Sequence, residues 1–224
     1  MILLYSGGLD SYIAWEFLKR PKTLYVDLGH RYAALERNAI RKTIPETIIE
    51  KRRVYLGDVE EEDAHIPMRN AFLVLAAALY DAEIALVVQK GEMDIPDRSP
   101  EFFAQMSQLL RTLRGREGRV FTPFPHLTKT QMVKWYVEQG LDPEALKRTW
   151  SCYKAAPPEK HCGRCSACFR RWVALSNNGI TEEYQYPPWK WEGVEDYLRR
   201  MNAGLYDAER TEETFRALKR VGVL

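Results

Sequence analysis

The only four cysteines of this 224-residue chain lie close together near its carboxyl-terminal third. They have the spacing C-x9-C-x2-C-x2-C and are Cys152, Cys162, Cys165 and Cys168. Four thiolates can close a tetrahedral shell around Zn²⁺ without an open coordination position, which is typical of a structural site. Thiolates also hold iron–sulfur clusters, so iron is the alternative metal. Such clustering indicates metal binding in a reducing compartment rather than disulfides.

A second motif, Ser6-Gly7-Gly8-Leu9-Asp10-Ser11, stands between an apolar run and a helical pattern. Adjacent glycines let the backbone turn sharply and approach a ligand closely. The turn and the helix start direct several N–H groups at one point, which suits an anion, and two serine hydroxyls add donors. We expect Asp10 to hold Mg²⁺ or to fix the loop, because a carboxylate repels a bare phosphate. A capped Gly-Gly turn without a ligand is the alternative.

The elements that must position these motifs alternate between apolar runs and amphipathic patterns. This alternation predicts an α/β fold with a parallel sheet and helices on both faces. Ligands bind beyond the carboxyl ends of the strands in such sheets. The motif Ser6–Ser11, called the phosphate loop from here on, follows a predicted strand. The predicted strands are Ile2–Tyr5, Thr23–Asp27, Val54–Leu56, Ile84–Val88 and Val120–Thr122. The predicted helices are Ser11–Arg20, Leu35–Ile44, Asn70–Asp81, Pro100–Leu113 and Lys129–Gln139.

Composition and charge restrict the class of protein. Hydrophobic residues make up 46% and charged residues 29%, which is ordinary for a globular domain. A formal net charge of +2 gives no support to nucleic acid as a partner. The longest apolar run, Ala71 to Tyr80, is too short to span a bilayer, and no signal-peptide pattern is found. We expect a cytoplasmic protein that does not bind membranes.

Together the motifs resemble the 7-cyano-7-deazaguanine synthase family of the PP-loop ATP pyrophosphatase superfamily. The phosphate loop alone is typical of the superfamily, and it lacks the lysine of the Walker loop. Trp150-Ser151-Cys152-Tyr153, joined to the cysteine cluster, is more specific. The resemblance covers roughly residues 1–175 and also includes Asp27-Leu28-Gly29-His30-Arg31, Ile66-Pro67-Met68-Arg69-Asn70, Pro96-Asp97, Pro100-Glu101-Phe102 and Leu127-Thr128-Lys129.

The resemblance implies an adenine nucleotide alpha hydrolase-like fold and an ATP-dependent C–N ligase that forms AMP and pyrophosphate. In the family, ATP adenylates the carboxylate of 7-carboxy-7-deazaguanine, and ammonia displaces AMP to give the amide. A second ATP activates the amide oxygen, and loss of AMP leaves the nitrile. The protein must hold ATP and acid in line and neutralise charge on the phosphates.

Candidate roles follow for the matched positions. We expect Arg69 and Lys129 to act with Asp10 on the phosphates, although Arg69 in a structural ion pair and Lys129 as a solvated residue are the alternatives. Asn70 is expected to bind substrate or ribose.

Three further carboxylates are candidates for binding. Asp27 is expected to shape the nucleotide pocket, with a cap of the turn at Gly29 as the alternative. Asp97 and Glu101 are expected to accept the paired N–H groups of the deazapurine.

The segment that should touch the substrate departs from the family pattern. Gln89–Ile95 is shorter than the Ser-Gly-Tyr-type loop that usually precedes Pro-Asp, and Arg98-Ser99 replaces the usual Cys-Arg. The alternative function is therefore a diverged ligase that stops at the amide, or that joins the activated acid to an amine on a protein or another partner.

The chain divides into three predicted regions: the PP-loop domain at 1–149, the zinc region at 150–178 and a helical tail at 179–224. Two helical patterns, Val194–Met201 and Thr211–Val221, lie in the tail, with Thr211 as a helix start. Tail aromatics suggest contact with a second copy or a protein partner. The alternative is that they pack back on the catalytic domain. These aromatics are Tyr184, Tyr186, Trp189, Trp191, Tyr197, Tyr206 and Phe215.

Overall fold

One parallel sheet organises the chain, whose residues 1–50, 55–62, 64–114, 117–154 and 160–224 are described by a computed structural model. The strands are β1 (Ile2–Leu4), β2 (Lys22–Val26), β3 (Ile48–Glu50), β4 (Glu83–Ala85) and β5 (Arg119–Phe121). All neighbours are parallel, in the order β3-β2-β1-β4-β5. The loops that leave β1 and β4 therefore diverge, which opens a crevice at the carboxyl ends of these strands.

Helices cover both faces of the sheet, so the predicted fold class is confirmed. They are α1 (Leu9–Phe17), α2 (Ala33–Thr43), α3 (Arg69–Ala77), α4 (Pro100–Arg114), α5 (Lys129–Glu138), α6 (Pro143–Lys147), α7 (Ser166–Asn177), α8 (Val194–Asn202) and α9 (Ala208–Arg220). Side chains alternate along β1, so that Leu3 packs with α1, α2 and α5 while Ile2 and Leu4 pack with α3 and α4. No helix in the described ranges is long and apolar enough to cross a membrane.

The predicted strand at Val54–Leu56 is wrong where it can be examined. Val54 lies outside the described residues, and Tyr55 and Leu56 belong to no strand. The strand at this edge is β3, where Ile48 pairs with Leu24 and Ile49 with Tyr25. Ile49 is 39% exposed, because an edge strand is covered on one side only. The apolar pair Ile48-Ile49 is short, so its pattern is weak in the sequence.

The tail packs against α7, a helix that the hydrophobic pattern did not predict. Phe169, Trp172 and Val173 of α7 form a core with α8 and α9, and the tail aromatics that join this core are Tyr184, Trp189, Trp191 and Tyr197. This packing favours the interpretation of the tail as added core. Helix α9 begins before Thr211, because the Asp207 carboxylate accepts hydrogen bonds from two backbone N–H groups of its first turn.

Candidate functional site

A cavity of about 240 Å³ lies at the carboxyl ends of β1, β2 and β4. It brings together residues that are far apart in the sequence. The predicted site residues that line it are Ser6, Gly8, Leu9, Asp10, Ser11, Arg69, Asn70, Lys129 and the predicted metal ligand Cys152. Gly7, Asp27, Asp97 and Glu101 lie outside this lining.

The phosphate loop turns directly from β1 into α1. Gly7 has φ +73°, and a Cβ there would meet Ala39 and the backbone of α2 at 3.0 Å, so both the conformation and the space require glycine. Gly8 is the N-cap of α1, and its own N–H donates to Ser6 Oγ at 3.3 Å. Ser11 Oγ donates to the Gly8 carbonyl at 3.1 Å. The positive end of α1 thus faces the cavity, where an anion would be stabilised.

Lys129 and Asp10 form an ion pair at the mouth of this loop. The Lys129 ammonium donates to Asp10 Oδ1 at 2.6 Å. Lys129 is the first residue of α5, and the preceding Thr128 caps that helix by accepting from Gln131 N–H at 3.2 Å. Gln131 Oε1 in turn accepts from Thr128 N–H at 2.8 Å, which completes a capping box. The capping box fixes the position from which Lys129 extends.

Arg69 and Asn70 enter the cavity from the start of α3. Burial lowers the pKa of Arg69, but Tyr32 and Tyr153 are among the groups that offset burial and raise it. Arg69 is therefore a cation facing the cavity. Asn70 is 3% exposed, and its amide donates to the Asp97 carbonyl at 2.9 Å. The Asp97 carboxylate also accepts from the Asn70 backbone N–H at 3.3 Å. Asp97 therefore fixes Asn70 from outside the cavity lining.

Asp27 and Glu101 are placed differently from these residues. The Asp27 carboxylate accepts from Gly29 N–H at 2.9 Å and pairs with Arg37. These contacts favour the turn-cap alternative. Glu101 is exposed in the first turn of α4, where a carboxylate interacts favourably with the helix dipole.

An ionic cluster that the sequence does not predict is formed by Glu92, Arg98 and Arg170, all of which line the cavity. Glu92 lies 2.9 Å from Arg170 and 3.3 Å from Arg98. Burial raises the pKa of the Glu92 carboxyl, but the guanidinium charges outweigh burial and bring the pKa down to about 2. Glu92 belongs to the short loop Gln89–Ile95, and only that departure from the family pattern marked it. Arg170 stands two residues after Cys168 in the sequence, and no pattern there predicts a contact with Glu92.

The cysteine cluster fits a single metal ion. The four sulfur atoms lie within 4.8 Å of one another, with 3.7 Å between Cys162 and Cys168 and 3.4 Å between Cys165 and Cys168. Zinc–sulfur bonds of about 2.3 Å in a tetrahedron place sulfurs about 3.8 Å apart. The Cys162 sulfur also accepts from Arg164 N–H at 3.2 Å, which suits a thiolate. The cluster could hold a metal such as zinc.

The metal region is joined to the phosphate loop through Trp150. Its backbone N–H donates to the Gly7 carbonyl at 2.8 Å, and its ring stacks on His161 at 4.5 Å. Burial and the charge of Arg171 lower the pKa of His161 to about 3, so the neutral ring accepts from Ser151 N–H at 3.1 Å. Ordering of the cysteines would therefore also order one wall of the cavity.

Arg171 anchors the same segment from inside the protein. Its side chain is completely buried and pairs with Glu182 at 2.6 Å. It also donates to the Thr149 hydroxyl and to the Leu146 carbonyl, each at 2.7 Å. A buried guanidinium needs such partners, so we interpret Arg171 as structural.

Comparison with known proteins identifies the family of this site. The sequence model of the family described as "Queuosine biosynthesis protein QueC" matches residues 47–179, which is more than half of the chain. A 7-cyano-7-deazaguanine synthase of Paracoccus denitrificans is 31% identical, and the match covers 83% of this chain and 92% of that protein. The enzyme of the same name from Pseudoalteromonas translucida is 25% identical, over 83% of this chain and 98% of that protein. The chain belongs to the QueC family.

Proposed function

We propose that this protein is an ATP-dependent ligase that activates the carboxylate of 7-carboxy-7-deazaguanine as its adenylate and releases pyrophosphate. The observation that carries the proposal is the Lys129–Asp10 pair beside the start of α1, inside the cavity that Arg69 also lines. Cations and N–H groups meet there at one anion site. Their arrangement suits a nucleotide whose phosphates must be held and neutralised. The names of the relatives support the choice of acid.

The residues around this anion site would divide the work of the first step. The N–H groups at the start of α1 would bind phosphate oxygens of ATP. Lys129 and Arg69 would neutralise charge on the α-phosphate as a carboxylate oxygen attacks it and pyrophosphate leaves. Asp10 would hold Mg²⁺, which would screen the negative charge of the phosphates when it is bound. Asn70, held by Asp97, would orient the acid or the ribose.

The second step replaces AMP by nitrogen. Ammonia would attack the carbonyl carbon of the adenylate, and AMP would leave with one oxygen of the original carboxylate. The amide oxygen would then attack a second ATP, and loss of AMP with two protons from nitrogen would leave the nitrile. Each activation thus consumes one ATP and transfers one oxygen to AMP.

The metal region and the tail would serve this site without reacting. We propose Zn²⁺ as the ion of the four thiolates, in a structural role. The proposed division is residues 1–149 for the nucleotide site, 150–178 for the metal and 179–224 for the tail.

A second candidate is a ligase that stops at the amide or transfers the acid to an amine of a protein or another partner. The observation that favours it is the ionic cluster of Glu92, Arg98 and Arg170, which lines the cavity where the family pattern has a longer loop. Different side chains in this part of the cavity lining would change which acid or amine can bind there.

Mass spectrometry of the products made from ATP, ammonium and 7-carboxy-7-deazaguanine tests the proposal. We expect AMP, pyrophosphate and the nitrile, whose mass differs from those of acid and amide. Accumulation of the amide would favour the second candidate. Formation of ADP and orthophosphate would contradict both.

A further inference from the structure

Helix α9 contacts the short loop that borders the cavity. The Lys90 ammonium lies 3.0 Å from the Glu209 carboxylate and 3.6 Å from Asp207, at the start of α9. On the following residue of the loop, a Cβ on Gly91 would stand 3.6 Å from Asp207. Arg210 packs over the ring of Tyr206, with its guanidinium carbon 4.4 Å from the ring centroid. The start of α9 therefore lies directly on the loop that carries Glu92.

The same helix contacts the start of α5. Thr128 Oγ1 donates to Glu213 Oε1 at 2.6 Å, across 85 positions of sequence. Glu213 is 8% exposed and Thr128 is 2% exposed, so water competes little for this hydrogen bond. Gln131, the other member of the capping box, donates to Glu209 at 3.2 Å. Both side chains of the capping box are thus held by α9.

The contact between Glu213 and Thr128 is linked to the phosphate loop through Lys129. Thr128 is the N-cap of α5, and Lys129 is the next residue. A charge-assisted hydrogen bond to a buried hydroxyl restricts the cap more than a neutral one would. Lys129 then extends from a fixed backbone to Asp10. A small cavity of about 30 Å³ is lined by Glu213 of α9 together with Lys129 and Arg170, which also line the main cavity.

We propose that α9 forms part of the active site of this protein. Glu213 is a positioning residue for Lys129, and Lys90 attaches the loop Gln89–Ile95, called the substrate loop from here on, to α9. The match to the family model ends at residue 179, so α9 lies beyond it. The tail supports the loop Gln89–Ile95, which is shorter than the family pattern. The two features that set this chain apart, the short loop and the tail beyond the matched residues, are therefore in contact. The inference rests on the proposed function, because Lys129 is assigned to the nucleotide there.

Substitution of Glu213 tests the positioning role in the ATP–pyrophosphate exchange reaction with 7-carboxy-7-deazaguanine. We expect Glu213→Ala to lower the exchange rate on the order of tenfold, because a small displacement of a group that binds phosphate has a large effect on rate. Glu213→Gln should recover most of the rate, since its amide oxygen can accept from Thr128. Glu212→Ala is the matched control, because Glu212 is exposed and pairs only with Arg216 in the described contacts.

A double-mutant cycle with Lys129→Ala separates positioning from general stability. If Glu213 acts through Lys129, Glu213→Ala should change the remaining rate of Lys129→Ala by less than about twofold. Equal effects of Glu213→Ala in both backgrounds would overturn the inference. If Glu213→Ala does not fold, Thr128→Val and Thr128→Ser repeat the comparison, and a rate lost in the first and kept in the second is expected.

The loop contact has its own measurement. Lys90→Met should raise KM for the acid several-fold and leave KM for ATP unchanged, because Lys90 holds the substrate loop and not the phosphate loop. Equal KM values for the acid in Lys90→Met and wild type would contradict this part. Absence of exchange in the wild type would count against the proposed function. The cycle would then be read from MgATP affinity, where additive losses would still overturn the role of Glu213.

Discussion

Lys129 and Asp10 are 119 positions apart in the sequence, yet the Lys129 ammonium donates to Asp10 Oδ1 at 2.6 Å. The contact joins the start of α5 to the phosphate loop at the start of α1. A cation and a carboxylate beside one helix terminus supply the groups that a nucleotide–magnesium complex requires. Asp10 would therefore hold the metal with ATP and restrain Lys129 before ATP arrives.

The first prediction concerns Asp10. We expect Asp10→Ala to lower the ATP–pyrophosphate exchange rate at least on the order of a hundredfold, because the carboxylate that pairs with Lys129, and that we propose to hold Mg²⁺, is lost. The fold should persist, since Asp10 is partly exposed at the mouth of the loop. Circular dichroism and thermal unfolding measure the fold. Asp58→Ala is the control, because Asp58 is exposed and outside the cavity. Full activity of Asp10→Ala would refute the assignment.

Local sequence patterns predicted the turn at Gly7-Gly8 before α1 and the cluster of four cysteines, because both depend on residues that are close in sequence. The Gly-Gly turn must precede α1, and four thiolates within one segment can reach one ion. Glu92 and Arg170 are 78 positions apart, and no local pattern predicts that they meet. Only tertiary packing, in which α7 lies against α5 and α9, brings them together.

Helix α7 was missed for a related reason. Its cysteines and arginines obscure the hydrophobic period, and its apolar face is completed by the tail. The sequence of the tail allows two interpretations, because aromatic side chains suit both a core and an interface. Short edge strands such as β3 show a weak pattern because one partner is enough to hold them.

The second prediction concerns the metal. We expect one zinc ion per chain, because the sulfur separations fit one tetrahedral ion. Cys168→Ser should lower the free energy of unfolding by several kcal/mol, on the order expected when metal binding is coupled to folding. Elemental analysis and thermal unfolding measure the two effects, and Ser166→Ala in the same helix is the control. Iron with visible absorbance, or protein that is stable without metal, would contradict the zinc assignment.

The third prediction concerns pH. The pKa of Glu92 falls from about 4.5 to about 2 on folding, so its ionised form stabilises the folded state above pH 4.5. This contribution is about 3 kcal/mol at pH 7 and is lost as pH falls through the folded pKa. Chemical unfolding at pH 7 and pH 3 should show that the difference in stability between wild type and Glu92→Gln shrinks by roughly 2 kcal/mol. A constant difference would show that Glu92 does not titrate as its surroundings imply.

Because acid also removes metal from thiolates, the comparison between the two proteins is needed. Both retain the same cysteines, so loss of metal affects them equally. The mutational difference then isolates the carboxyl of Glu92.

The fourth prediction concerns the tail. A chain truncated after Asn178 should precipitate or unfold, because removal of α8 and α9 exposes Phe169, Trp172 and Val173. Size-exclusion chromatography and circular dichroism of wild type and truncated chain measure this. If the truncated protein stays folded and instead loses self-association, the tail would be an interface with a second copy, and the interpretation as core would fail.

The transfer of oxygen from the acid to AMP tests the central claim most directly. With both carboxylate oxygens of 7-carboxy-7-deazaguanine replaced by ¹⁸O, adenylation must place one labelled oxygen in each AMP that is released. The account predicts two labelled AMP molecules for every nitrile formed, as measured by mass spectrometry. One labelled AMP per product would indicate that the reaction stops after the first activation. Unlabelled AMP, or ADP in its place, would contradict the formation of an acyl adenylate.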